Sequence, residues 1–244
     1  YPFVITYIFT PFLDMYFGED NSNHPDEVQS DLEKIPYYKI LTYIAVPIHI
    51  FVFFISAFYI GLIPLSLLEI LLISASAGLV SGIAINTGHE LGHKKTKIER
   101  SLAKIVLSIP AYGHFTIEHN RGHHSNVSTP EDAASAKMGE NIYEFALREM
   151  PESFKNAISI EKKRLHRLGK SFWCFDNELM QSFSLTLIFQ VGLLISFGLV
   201  MVPFLLVHNL FAWWQLTSAN YIEHYGLLRE KLSNGRYELC KPYH

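Results

Sequence analysis

The amino-acid sequence predicts an all-α fold, a polytopic bundle of membrane-spanning helices. Of the 244 residues, 49% are hydrophobic and only 18% are charged, which excludes a disordered chain and a fibrous repeat. The apolar residues form long runs, and the stretches 40–68, 70–89 and 179–222 contain no Asp, Glu, Lys or Arg. Runs of this length are typical of transmembrane helices, because a helix needs about 20 apolar residues to cross the hydrocarbon core of a bilayer.

Four spans are predicted within these runs, and the last two are divided near Pro203. They are residues 40–60, 65–86, 182–200 and 203–221. Residues 1–17 carry a single charge, Asp14, and are predicted as a fifth span. The uncharged stretch 105–117 is too short to cross and is predicted as a partly buried or re-entrant helix. The chain begins with Tyr rather than Met, so we expect a single domain over residues 1–244 that is truncated at both ends.

The cationic residues indicate the orientation of the bundle. If the spans alternate in direction, the loops 18–39 and 87–181 share one side, and all 20 Lys and Arg residues lie outside the two short turns on the other side. Lys and Arg are enriched on the cytoplasmic side of membrane proteins, which predicts that this side is cytoplasmic. The stretch 155–170 holds six of these cations against Glu161. It is either an ordinary solvated face or a surface that attracts an acidic partner or anionic lipids.

Six of the twelve histidines lie in three short motifs, each at or near the end of a predicted membrane segment. The motifs are HELGH at 89–93, EHNRGHH at 118–124 and NYIEHYG at 220–226, and their histidines are His89, His93, His119, His123, His124 and His224. The first two motifs each contain a pair at i and i+4, which shares one face of a helix and can bind one metal ion. His124 adds a ring on a different face, and the surplus of imidazoles points to two metals.

Other polar residues near the motifs are candidates to support the ligands by hydrogen bonding. They are Glu90, His114, Glu118 and Glu223. His49 and His208 lie inside predicted spans without local partners and are predicted to be structural. The same prediction holds for the loop residues His24, His166 and His244.

Two other kinds of protein fit part of this pattern. HELGH matches the HExxH motif of zinc proteases, with Glu90 as the general base, but a zinc protease needs only one further ligand. A metal transporter usually places its polar ligands near the middle of the bilayer, whereas these motifs cluster at one face. A nitrogen-rich ligand set in an apolar setting suits iron that activates O2, although imidazoles alone do not select one metal.

Five motifs together resemble those of the bacterial integral-membrane alkane monooxygenases, which are non-haem di-iron alkane hydroxylases. They are HELGHKK at 89–95, EHNRGHH at 118–124, TPEDAAS at 129–135, WWQLTSANYIEHYGLLR at 213–229 and NGRYE at 234–238. The resemblance covers essentially the whole chain. Membrane fatty-acid desaturases and xylene-type monooxygenases belong to the same superfamily and are alternatives, but desaturases usually carry HxxHH where this chain has HxxxHH.

The resemblance implies oxygen-dependent terminal hydroxylation of medium-chain n-alkanes to 1-alkanols in the bacterial inner membrane. It implies a cytoplasmic histidine-rich site that holds two non-haem iron ions, with the six motif histidines as ligands. Electrons would come from rubredoxin and rubredoxin reductase, and no nucleic acid is involved. The family carries a further HxxHH box downstream, which is absent from residues 1–244. We therefore expect six imidazoles to be too few for the complete site.

Two further expectations concern the substrate and the electron donor. Thr6, Thr10 and Asp14 follow an i, i+4, i+8 pattern and are predicted to border an apolar substrate channel, the alternative being ordinary helix packing. Rubredoxin-like proteins are acidic, so the docking surface is predicted at 155–170 or at Arg229–Lys241.

Overall fold

The structure is a computed structural model that describes residues 2–19, 32 and 35–241. The described part of the chain is helical apart from loops and one isolated antiparallel bridge between Lys231 and Tyr237. His24 and His244, which were predicted to be structural, lie outside the described residues. The all-α prediction is confirmed.

Eight helical segments, numbered here in chain order, position the functional residues. They are α1 (Pro2–Phe17), α2 (Pro36–Leu62), α3 (Leu67–His93), α4 (Lys97–Ser108), α5 (residues 115–126), α6 (Ile142–Arg167), α7 (Glu178–Phe197) and α8 (Met201–Glu223). Two of them contain a π-helical stretch, at Ile5–Phe9 in α1 and at His119–His123 in α5.

Three helical segments of the described chain are long and apolar enough to cross a membrane: Pro36–Leu62, Leu67–His93 and Glu178–Glu223. The third turns back on itself at Gly198, whose φ of 75° lies in the left-handed region that favours glycine. Gln190 Nε2, before this turn, donates a hydrogen bond of 3.2 Å to Asn209 Oδ1 after it, so α7 and α8 pack side by side. The four predicted spans are therefore helices, each with somewhat different ends.

The predicted division near Pro203 is a few residues late, because the turn lies at Gly198–Val200. Pro203 instead occupies the first turn of α8, where a helix has no use for the missing N–H. The predicted helix at 105–117 is also wrong. α4 starts at Lys97 because Thr96 caps it, its hydroxyl accepting a hydrogen bond of 3.3 Å from Glu99 N, and it ends at Ser108.

α3 and α8 run in the same direction and approach closely through small residues. A Cβ atom on Gly78 would lie 2.6 Å from the His208 carbonyl oxygen, and one on Gly82 would lie 2.4 Å from the Gln215 side chain. Small residues allow this approach, which is common between membrane helices. Because the helices are parallel, the end of α3, which carries His89 and His93, lies on the same side as the end of α8.

A buried hydrogen-bonded chain links α2, α3 and α8. The Ser81 hydroxyl lies 2.8 Å from His49 Nε2 and 2.7 Å from His208 Nε2, and His208 Nδ1 lies 3.0 Å from Asn209 Oδ1. The partner that the two histidines share, Ser81, is distant in sequence and is brought between them by the tertiary fold; their structural role stays a prediction. Buried polar groups need such partners because an unsatisfied one is costly in an apolar interior.

Candidate metal centre

The first two histidines of the site lie on the last turn of α3. This helix has 27 residues, so it continues past the length needed to cross a bilayer. His89 and His93 are one turn apart, and their Nε2 atoms lie 2.8 Å from each other. The predicted pairing of these two imidazoles on one helix face is confirmed.

α5 presents its histidines differently from the prediction. A π-helical stretch at His119–His123 widens the turn, and the two rings that approach through their Nε2 atoms are His119 and His124, five residues apart, at 2.9 Å. The expectation that His119 and His123 form the pair, with His124 on another face, is wrong. A π-helical turn adds one residue to the period, which is a common distortion at functional sites.

Four imidazoles from α3 and α5 form one cluster. His89, His93, His119 and His124 each offer a ring nitrogen, and these atoms all lie within 4.8 Å of one another. Burial, together with the charges of the neighbouring imidazoles, lowers the pKa of His119 to about 2. A ring that stays neutral keeps a lone pair available for a metal ion.

His123 and His224 form a second group beside this cluster. Their ring centroids are 4.8 Å apart, and the His123 centroid lies 5.1 Å from that of His119. His224 directly follows α8, and its backbone N–H donates to Asn220 O at 3.1 Å. The fold thus brings all six predicted histidines into one region.

The buried carboxylate of Asp132 orients His123. Its Oδ2 atom lies 2.9 Å from His123 Nδ1 and accepts a hydrogen bond from Ser135 Oγ at 2.6 Å, and its Oδ1 atom accepts one from Ala134 N at 3.2 Å. Burial favours the neutral ring, but the hydrogen bond and charge of Asp132 outweigh it and raise the pKa of His123. With Nδ1 held by Asp132, Nε2 is the atom left to bind a metal. Asp132 lies in the TPEDAAS motif but was not anticipated as a site residue.

We expect Asp132→Asn to weaken metal binding about 10- to 100-fold, the usual effect of losing an outer partner of a ligating imidazole. Metal titration with purified protein measures this loss. Glu131→Gln is the matched control, since Glu131 is the exposed neighbour, whose carboxylate accepts from the Tyr237 hydroxyl. Equal affinities in the two variants would contradict the orienting role of Asp132.

The four predicted supporting residues occupy different environments. Glu90 is exposed, 3.7 Å from His89 Nδ1, and a Glu223 carboxylate oxygen lies 4.0 Å from His224 Nε2. Glu118 is buried, which, with the charge of Asp132, raises its pKa to about 7. His114 is 5% exposed, and within the described residues its ring nitrogens have no hydrogen-bond partner. Burial lowers its pKa to about 4. The supporting roles of these four residues stay predictions.

Glu149 is a further buried carboxylate that the motifs did not reveal. It lines a small cavity together with His114, Glu118 and His119. Its oxygens accept hydrogen bonds from Thr217 Oγ1 at 2.9 Å and from Ser153 Oγ and Asn220 Nδ2, both at 3.3 Å. Glu149 thereby ties α6 to the end of α8 that leads to His224.

The predicted channel residues lie on α1. Thr6 is half-buried, whereas Thr10 and Asp14 are exposed in this structure. The π-helical stretch changes the register between them, and the Thr10 hydroxyl donates to Ile5 O at 3.0 Å. The helix contacts α8 through Tyr7, whose hydroxyl donates to Gln215 Oε1 at 2.8 Å. The substrate channel stays a prediction.

Comparisons with known proteins place this site in a family. The sequence profile of the fatty acid desaturase family matches residues 64–239. Alkane 1-monooxygenase 1 of Alcanivorax borkumensis is 53% identical over 241 residues, covering 99% of this chain and 60% of that protein. Alkane 1-monooxygenase of Pseudomonas putida is 53% identical over 234 residues, covering 96% and 58%. The xylene/toluene monooxygenase hydroxylase component XylM of Pseudomonas putida is 30% identical over 158 residues, covering 62% and 41%.

The chain spans about 60% of the length of the first of these curated relatives. The matched segment, residues 64–239, includes all six motif histidines and the helices α3–α8 that position them. The chain belongs to the fatty acid desaturase family.

Proposed function

We propose that the complete protein hydroxylates the terminal methyl group of medium-chain n-alkanes to give 1-alkanols, at a site that holds two non-haem iron ions. The observation that carries the proposal is the convergence of six imidazoles at the ends of apolar helices. The relatives named alkane 1-monooxygenase, at 53% identity, support the choice of substrate.

The donor set fits iron. The six histidines offer imidazole nitrogens, a ligand type that suits iron, zinc and copper. His89, His93, His119 and His124 supply one group, and His123 and His224 supply its neighbour. When bound, the iron ions supply the O2-activating redox chemistry that an unactivated C–H bond requires. A further HxxHH box beyond residue 244 would add ligands, and sequencing the rest of the reading frame tests this.

The protein's own residues hold the substrate and exclude water. An alkane offers no charge or hydrogen bond, so the apolar helices have to bind it by burial alone, worth roughly 0.8 kcal/mol for each methylene. The overall reaction, RH + O2 + 2e⁻ + 2H⁺ → ROH + H2O, consumes two electrons. We propose that rubredoxin and its reductase supply them to a site on the cytoplasmic face of the bacterial inner membrane, which the distribution of Lys and Arg supports.

The test uses the complete reading frame, expressed in a host that does not oxidise alkanes. Membranes supplied with rubredoxin, rubredoxin reductase, NADH and octane should form 1-octanol, and purified protein should contain two irons per chain. Formation of unsaturated fatty acyl chains, or oxidation of xylene but not octane, would favour the other members of the superfamily. One zinc per chain without oxidation would identify a hydrolase.

We expect Thr6→Trp to shorten the longest alkane that is oxidised. Thr6 is the half-buried member of the predicted channel residues, and a bulky indole there would occupy the space of several methylenes. Product chain lengths from a C6–C16 alkane mixture measure the change. Ile8→Trp, at an exposed position of the same helix that is not among the predicted channel residues, is the control. An unchanged product range for Thr6→Trp would contradict the channel assignment.

We expect Lys162→Glu/Lys163→Glu to lower kcat/KM for rubredoxin about tenfold at low salt, and less at high salt, because surface charges steer an acidic partner. Both lysines line an exposed basic cavity on α6. Arg164 is left unchanged, since its guanidinium pairs with the buried carboxylate of Glu161 at 2.6 Å. Lys231→Glu/Arg236→Glu tests the alternative surface in Arg229–Lys241. If only this second variant lowers the rate at low salt, rubredoxin docks at Arg229–Lys241 instead.

A further inference from the structure

A second polar cavity lies directly behind the histidine cluster. It has a volume of about 290 Å³ and is bounded by the end of α3, by α4, by α5 and by the start of α7. Four of its lining side chains are cationic: Lys97, Arg100, Lys104 and Arg121. Gly92 and Asn120 form the wall towards the histidines, and the carboxylate of Glu178 also reaches the cavity.

The charge of this cavity is only partly balanced. Arg121 pairs with Glu178 at 2.9 Å and with Glu161 at 3.5 Å. Within the described part of the chain, however, Lys97 and Arg100 form no ion pair and no side-chain hydrogen bond. The Lys104 ammonium donates to the Gln181 amide oxygen. The lining therefore carries an excess of positive charge with hydrogen-bond donors to spare.

The pKa of Lys104 reflects both its burial and the charges of its neighbours. Burial, together with the charges of Arg100 and Arg164, lowers the pKa of its ammonium. Like charges that crowd one concave site repel each other, and an anion among them would relieve that repulsion. The walls are thus built for a small group that carries negative charge and several acceptor oxygens.

The cavity lies at the level where membrane helices end. Gly92 belongs to the last turn of α3, and Glu178 is the first residue of α7, both of which are candidate membrane spans. A cationic pocket between the ends of membrane helices meets the phosphates of lipid headgroups. Arg100 has a planar guanidinium that can bind a phosphate through two parallel hydrogen bonds.

We propose that this cavity binds a phosphate group, supplied by the headgroup of an anionic phospholipid, through Lys97, Arg100 and Lys104. The ligand would join α3, α4 and α5, which meet where Asn120 Nδ2 donates to Gly92 O at 3.1 Å. Gly92 directly precedes His93, and Asn120 directly follows His119. Binding at the cavity would therefore stabilise the positions of these two histidines. This inference does not depend on the proposed oxidation of alkanes.

The experiment uses the complete protein in detergent, titrated with dioctanoyl phosphatidylglycerol, with bound lipid counted by native mass spectrometry. Lys97→Gln/Arg100→Gln is the test variant. Lys231→Gln/Arg236→Gln is the matched control, because it likewise removes one lysine and one arginine, at exposed positions outside this cavity. We expect the test variant to raise the Kd for phosphatidylglycerol about tenfold or more, as for the loss of charge-assisted hydrogen bonds. The control should change it less than twofold.

Two further arms identify the source of the phosphate. Dioctanoyl phosphatidylcholine, whose headgroup has no net charge, should bind more weakly than phosphatidylglycerol. If millimolar inorganic phosphate displaces the lipid from the wild type, the cavity recognises phosphate itself; if it does not, the glycerol linkage contributes. Equal lipid affinity in the test and control variants would overturn the proposal. So would a test variant that keeps its lipid but loses only its rate with rubredoxin, since the cavity would then belong to a protein-docking surface.

Discussion

His119→Ala is expected to remove most metal from the site. Its ring is the centre of the cluster, with ring-centroid distances of 4.4 Å to His89, 4.5 Å to His124 and 5.1 Å to His123. Loss of an outer partner of a ligand commonly costs 10- to 100-fold in affinity or activity, and loss of a central ligand should exceed about 100-fold. Metal analysis and alkane oxidation by the complete protein measure both effects.

His166→Ala is the matched control for this variant, because His166 is an exposed histidine near the end of α6, away from the three motifs. It should keep full metal content, which is the quantity compared between the two variants. Thermal unfolding of both apoproteins separates a loss of ligand from a loss of fold. A His119→Ala protein that retains metal and activity would refute the assignment of the site.

Gly78→Leu is expected to force α3 and α8 apart. Even a Cβ atom at this position would lie 2.6 Å from the backbone oxygen of His208, and a backbone atom cannot rotate away as a side chain can. Overpacking of a tight contact commonly costs about 1–3 kcal/mol. Because α3 carries His89 and His224 directly follows α8, we expect a lower melting temperature together with a loss of bound metal.

Gly192→Leu supplies the control on another membrane helix. Among the described residues, no atom beyond the chain neighbours and the backbone of its own helix lies within 4 Å of a Cβ built at Gly192, so a larger side chain has space there. This variant should unfold at the wild-type temperature and retain its metal. Similar behaviour of the two variants would show that the close contact of α3 with α8 does not control the geometry of the site.

Local patterns predicted the membrane helices well because a run of about 20 apolar residues is by itself enough to indicate a span. They failed where a capping residue or a turn decides the boundary. Thr96 caps the start of α4 before the uncharged stretch begins, and the turn between α7 and α8 lies at Gly198 rather than at Pro203. Charge counts alone do not register either signal. Helix α6 begins with a capping box between Asn141 and Glu144. Only the charges of its second half, at 155–170, were described from the sequence, and the helix was not predicted.

The sequence by itself determined the membrane-helical class and which six histidines are candidate metal ligands. Hydrophobic length and the spacing of imidazoles are properties of short segments. Only the tertiary structure decided how the rings divide, since the π-helical turn of α5 pairs His119 with His124 and leaves His123 to Asp132 and His224. It also decided that Ser81 joins His49 to His208. These contacts join residues from separate helices, and their distances depend on how closely the helices pack.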